Sequence, residues 1–93
     1  MRLLYTFRFQ QMGETFLAAA TGQNARLFNG VLQLNEVGHF IVAKLAQLPD
    51  MQEQDIVNIL TESLTKEYAV DIATAQSAVQ NVLDYLKAEQ VLA

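Results

Sequence analysis

His39 is the single imidazole of this sequence, and no cysteine accompanies it. A nucleophilic triad needs a serine or cysteine, a histidine and an orienting acid, and a histidine-rich metal site needs more than one imidazole. His39 falls among Val37, Phe40 and Ile41 on a stretch of helical periodicity. It reads as a partly exposed helix histidine, with a pH-sensitive contact as its functional alternative. The neighbouring carboxylates, Glu53 with Asp55 and Glu62 with Glu67, fall on solvated helix faces. General acid–base work requires environments that drive two such groups apart, and nothing in these segments implies burial. Gly22 and Gly30 belong to no phosphate-cradling pattern, and Met1, Met12 and Met51 share no helical stripe. These residues predict a protein that is not an enzyme and holds neither metal nor cofactor.

The bulk properties point the same way. A chain of 93 residues, 52% hydrophobic and 17% charged, has the composition of a globular domain, and one domain spanning residues 1 to 93 is expected. At this length a fold buries only about 60 to 65% of its unfolded surface, so the core is modest and a large enclosed active site is hard to build as well. The absence of cysteine excludes disulfides and suits a cytoplasmic protein. The opening MRLLYTFRF has too short an apolar run for a signal peptide, and polar residues interrupt every later apolar stretch before membrane-spanning length. Charge is uneven. Arg2, Arg8 and Arg26 against Glu14 leave the first third positive, whereas the remainder carries nine acids and three lysines within a net charge of −4. A phosphate backbone needs clustered Lys and Arg, and the helical part offers none, so no nucleic-acid partner is expected.

The elements that must position any binding site follow from periodicity. Leu4 to Gln10 alternates, with Tyr5, Phe7 and Phe9 on one face, and predicts a strand with an aromatic inner side. A turn at Met12-Gly13-Glu14 leads to a second strand at Thr15 to Ala20. Thr21 to Asn24 reads as a loop, and Asn29-Gly30 as a type I′ turn into a third strand, Val31 to Leu34. Asn35 then stands at an N-cap, with Val37, Phe40, Ile41, Leu45 and Leu48 as the apolar stripe of a helix that Pro49 stops. Gly38 in its first turn suggests a neighbouring backbone close by. Asp50 and Glu53 form a capping-box pairing for a second helix with the stripe Ile56, Ile59, Leu60, Leu64 and Tyr68. Asp71 caps a third helix, to about Glu89, with Ile72, Ala75, Val79, Val82, Leu83 and Leu86 inward. A small meander followed by three helices predicts an α+β fold. On the third helix Ala78, Val82 and Tyr85 form a second apolar line beside the inner stripe. It reads as core or as the wall of a groove.

The string Leu32-Gln33-Leu34-Asn35-Glu36-Val37-Gly38 resembles the Leu-Asn-Glu-Thr-Gly signature of the PqqD-like family, with Val37 in place of the threonine. Phe7-Arg8-Phe9 and Phe28-Asn29-Gly30 resemble a subgroup of it. Glu67-Tyr68-Ala69-Val70-Asp71 is similar to the family's junction between second and third helices, and Leu86, Val91 and Leu92 to its leucine-rich end. Phe40-Ile41-Val42 departs from the family's common Ile-Trp pair.

The resemblance implies a RiPP recognition element, with a winged helix-turn-helix-like fold of a three-stranded antiparallel sheet followed by three α-helices. Such domains are peptide chaperones. They bind the leader segment of a ribosomally made precursor peptide and present the rest to a modifying enzyme, often a radical S-adenosylmethionine protein. The leader adds as a strand beside the third strand, in a cleft walled by the third helix, which maps here to Val31, Leu32, Gln33, Leu34, Ala78, Val82 and Tyr85. The physical requirement is that the outer hydrogen-bonding side of residues 31 to 34 be vacant and face the third helix. The alternatives are an assembly subunit that pairs through the same edge, including with a second copy of itself, and a winged-helix DNA binder. The latter is disfavoured because residues 71 to 86 carry only Asp71 and Asp84 as charges, with Gln76, Gln80 and Asn81 as neutral readers.

Overall fold

The computed structural model describes residues 1–22, 28 and 30–93. Strands β1 (Thr6–Met12) and β2 (Thr15–Thr21) pair antiparallel with Met12 opposite Thr15, so Gly13 and Glu14 make the loop. Gly13 has φ +64°, which a residue without a Cβ adopts at little cost. Strand β3 (Val31–Leu34) pairs antiparallel with β2, Leu32 opposite Ala18 and Leu34 opposite Phe16, and the sheet order is β1-β2-β3. Helices α1 (Glu36–Leu45), α2 (Glu53–Tyr68) and α3 (Ile72–Ala88) follow. This is the expected α+β arrangement. The expected Asn29-Gly30 turn and the end of the loop at Gln23 and Asn24 involve residues outside the described ones.

One junction joins the sheet to the helices. Leu34 ends β3 with its side chain in the core, and the next residue, Asn35, caps α1: its Oδ1 accepts from the Gly38 amide at 2.7 Å. A Cβ at Gly38 would lie 3.2 Å from that oxygen and 3.4 Å from Leu34 Cβ. The close neighbours of Gly38 are therefore side chains, and the expected neighbouring backbone is not among them. Ala18, Leu32, Leu34, Ile41, Leu60 and Val79 are among the residues of one core between the sheet and the helices. His39 fastens α1 to the hairpin: its ring stacks on Phe16 at 4.1 Å and meets the edge of Phe9 at 4.6 Å. Tyr5, Phe7 and Phe28 form a second aromatic group.

Several boundaries differ from expectation for identifiable reasons. β1 begins at Thr6 and not Leu4, because the Leu4 amide donates to the Val91 carbonyl and the Arg2 and Ala93 backbones exchange two bonds. Those contacts tie the first residues to the last. α1 ends at Leu45, four residues before Pro49. Gln47 and Leu48 bond three residues back, a tightening that precedes a proline whose neighbour is disfavoured in helical geometry. Val42, outside the expected stripe, is fully buried.

Asp50 does not cap α2. Gln52 occupies that position without a side-chain bond, while Asp50 accepts from the Met1 amino group at 2.8 Å and lies 4.0 Å from Arg2. The hydrogen bond and charge of that amino group hold its carboxyl below the usual carboxylate value. Ile72, expected inward, is 66% exposed at the first position of α3, beside the polar Asn58, Glu62 and Thr65 of α2. Ile59 is likewise partly exposed, and Val57 and Thr61 are buried on α2 instead.

Replacing Asn35 by Ala removes the α1 cap and should cost about 1 kcal/mol in urea denaturation. Asp71 does cap α3, its Oδ1 accepting from the Thr74 amide at 2.7 Å, and hydrogen bonding from Thr74 lowers its carboxyl pKa. Its contribution is complete above the ordinary carboxylate value and is lost as pH falls through the lowered folded-state value. Asp71→Asn keeps a capping oxygen without the charge, so its stability should fall less between neutral and acid pH than that of the parent.

Candidate functional site

Strand β3 divides its duties by alternation. Leu32 and Leu34 are buried in the core, and Val31 and Gln33 are exposed. In an antiparallel ladder, opposed residues alternate between those that exchange backbone bonds and those whose backbone groups point away from the partner. The Gln33 amide donates to a group outside the sheet, so Gln33 and Val31 carry the outward-pointing groups, whereas Leu32 and Leu34 bond to β2. Among the described residues β3 is the last strand in the order, with no further strand beside it.

Helix α3 stands across from this edge. β3 packs on β2 and α1, and α3 packs on α1 and α2, which leaves a trough between β3 and α3. Gln33, Leu34, Asn35, Gly38, Asn81, Val82 and Tyr85 line it, around about 180 Å³. That is below the roughly 300 to 1,000 Å³ of small-molecule pockets, and no lining side chain is charged. The trough therefore suits backbone pairing and apolar contact better than capture of a compact ionic ligand.

Of the residues expected at the site, the trough brings together Gln33, Leu34, Val82 and Tyr85. Val82 and Tyr85 are half-buried. Ala78 is half-buried against the core and does not line the trough, while Leu32 is wholly inside. Val31 does not line the trough either and lies with Arg8, Leu17 and Ala19 in a separate depression, so only the outward direction of its backbone groups relates it to this edge. Sequence reasoning left out Asn35, Gly38 and Asn81 as lining residues. In sequence Asn35 reads as a cap and Gly38 as the mark of a close backbone, and Asn81, next to Val82, falls outside the apolar line.

The outer edge is not wholly vacant. The Gln33 amide donates to the Tyr85 hydroxyl at 3.0 Å, in a solvent-exposed bond. This corrects the expectation of an empty edge at one donor. The partner is a side chain, not a strand, and among the described residues no other hydrogen bond reaches Val31 or Gln33 from outside the sheet.

Elsewhere, two ion pairs join helix residues. Glu53 pairs with Lys87 between α2 and α3, and Glu62 with Lys66 along α2 at 3.0 Å. Among the described residues no three His, Asp or Glu side chains gather to hold a metal ion, and no helix is long and apolar enough to cross a membrane.

The sequence pattern of the family described as Coenzyme PQQ synthesis protein D (PqqD) matches residues 14–92. A solved structure of similar fold is TbiB1 in complex with the TbiA(beta) leader peptide. It is 17% identical with a TM-score of 0.65, over 99% of this chain and 94% of that one. At that identity the likeness establishes the fold. No curated protein matches.

The two halves of β3 should respond differently to substitution. Leu32→Ala should cost about 2 to 5 kcal/mol in chemical denaturation, because it opens a cavity in the core. Val31→Thr should stay within about 0.5 kcal/mol of the parent.

Proposed function

This chain belongs to the PqqD family, and from that membership we propose that residues 1–93 act as one non-catalytic peptide-capture domain. Its guest is the leader segment of a ribosomally made precursor peptide, which adds as a strand to the outer edge of β3. The domain then acts as a chaperone that presents the precursor to a modifying enzyme, with a radical S-adenosylmethionine enzyme as the leading class. The observation that carries this reading is the last strand of the sheet, with outward backbone groups at Val31 and Gln33, facing a trough walled by Val82 and Tyr85. Main-chain pairing supplies affinity for any extended peptide, and the wall supplies selectivity. That TbiB1, of the same fold, was solved with a leader peptide supports the choice of guest.

A non-catalytic role is supported by the residues with chemical potential. His39 is packed against Phe16 and Phe9, and Glu53 and Glu62 are held in exposed ion pairs. The trough-facing part of α3 offers Asn81, Val82 and Tyr85, not the cations that a nucleic-acid reader requires. A second reading keeps the same β3 edge and pairs it with a strand of a second copy, for which β1, at the opposite side of the described sheet, is a candidate.

Synthetic peptides tiled across the short coding sequences beside the gene provide the test, followed by amide chemical shifts. Binding should move Val31, Gln33, Val82 and Tyr85. Shifts at Val31 and Gln33 that grow with protein concentration in the absence of peptide support the assembly reading, and a titration in which no peptide moves these residues defeats the proposal. Val31→Pro sharpens it. The Val31 amide points away from β2, so proline there should spare the ladder, yet it removes a donor to the guest and should weaken capture by roughly twofold to tenfold or more.

A further inference from the structure

Tyr85 holds a place that a guest strand would need. Its hydroxyl oxygen stands 3.0 Å from the Gln33 nitrogen, the separation at which the carbonyl oxygen of a paired strand would stand. Two acceptors cannot share that position. A strand bonded to β3 runs only about 4.8 Å away, so pairing that extends from Val31 through Gln33 must swing the phenol out.

Resting on the reading that β3 receives a peptide, we propose that Tyr85 guards this edge and determines what is admitted to it. With the trough empty, its hydroxyl caps the Gln33 amide. A guest gains that donor only by putting a backbone carbonyl in its place. The need for a guard follows from the edge itself, since an uncovered row of backbone groups pairs with any other open strand, and among the described residues β1 of a second copy is one. Among the described residues nothing caps the outward groups at Val31, so a guest can begin pairing there before the phenol moves. The Tyr85 bond is solvent-exposed, so water can stand in for either partner while they exchange. A stray acceptor replaces one bond with another and gains nothing. A full strand adds the bonds at Val31 and contact with Val82, and so displaces the guard.

Tyr85→Phe keeps the ring and removes the oxygen. In the free protein, hydrogen exchange at the Gln33 amide should be faster in the variant than in the wild type, and equal exchange overturns the guard. Of the tiled synthetic peptides, the one that binds best should bind Tyr85→Phe roughly twofold to tenfold more tightly than wild type. The same peptide truncated before the residue that pairs with Gln33 should bind the two proteins alike. If the full peptide binds the variant equally or more weakly, the guard is overturned and the peptide-capture reading stands. If no peptide binds either protein, both fall.

Discussion

The hydrogen bond from the Gly38 amide to Asn35 Oδ1, 2.7 Å long, fixes the relation between sheet and helices. It satisfies one of the orphan donors at the start of α1. Because Asn35 directly follows Leu34, it also fixes the end of β3. Leu34 is buried on one side of the junction, and Ile41 and Val42 on the other, so the strand cannot shift by a residue without drawing Leu34 out of the core or uncapping the helix. Gly38 leaves the space in which that turn closes, with Leu34 and Asn35 atoms at distances a Cβ would crowd. A four-residue strand with no neighbour on one side is thereby held in register at its C-terminal end.

Fixed register decides which main-chain groups face outward. With Leu32 and Leu34 required in the core, Val31 and Gln33 must carry the outward backbone groups, and the Gln33 amide reaches α3 at Tyr85. α3 is itself placed by Ala75, Val79, Leu83 and Leu86, a stripe that leaves Val82 and Tyr85 at its border, half inside and half facing the trough. The trough is thus the seam between two surfaces whose buried residues were chosen by packing.

What could be read in the sequence was what is local. The caps at Asn35 and Asp71 are contacts over three residues, and their type and spacing foretell them. Asp50 has equally good local credentials as a cap, but its partner, the Met1 amino group, is 49 residues away. Leu4 leaves β1 for the same reason, because Val91 claims its amide. Ile72 fits the period of α3 but lies where the helix's first turn passes over polar residues of α2, and a period carries no information on how far a neighbouring surface extends. The site shows the same division. Gln33 and Tyr85 were each expected there from family resemblance and from the apolar line, but their contact spans 52 residues and depends on how α3 crosses the strand. Asn81 stands out in sequence only as a neutral reader of nucleic acid, because the groove wall is traced through the apolar line beside it.

The way the chain divides its atoms explains how so small a fold could carry a recognition surface at all. Leu32 and Leu34 are fully engaged in the core, and at this length few apolar side chains can be withheld from it. The outer backbone groups of β3 carry no such cost. They exist because the strand exists, they remain exposed because the sheet ends there, and their geometry is fixed by the same packing that stabilises the fold. Recognition built on them needs only a wall opposite to confer preference, and α3 provides one from residues at the rim of its own buried stripe. The unavoidable consequence is an edge that attracts any strand, and a tyrosine whose ring is half-buried while its hydroxyl reaches across is a side chain able to meet it: it can cover a backbone donor without filling the trough.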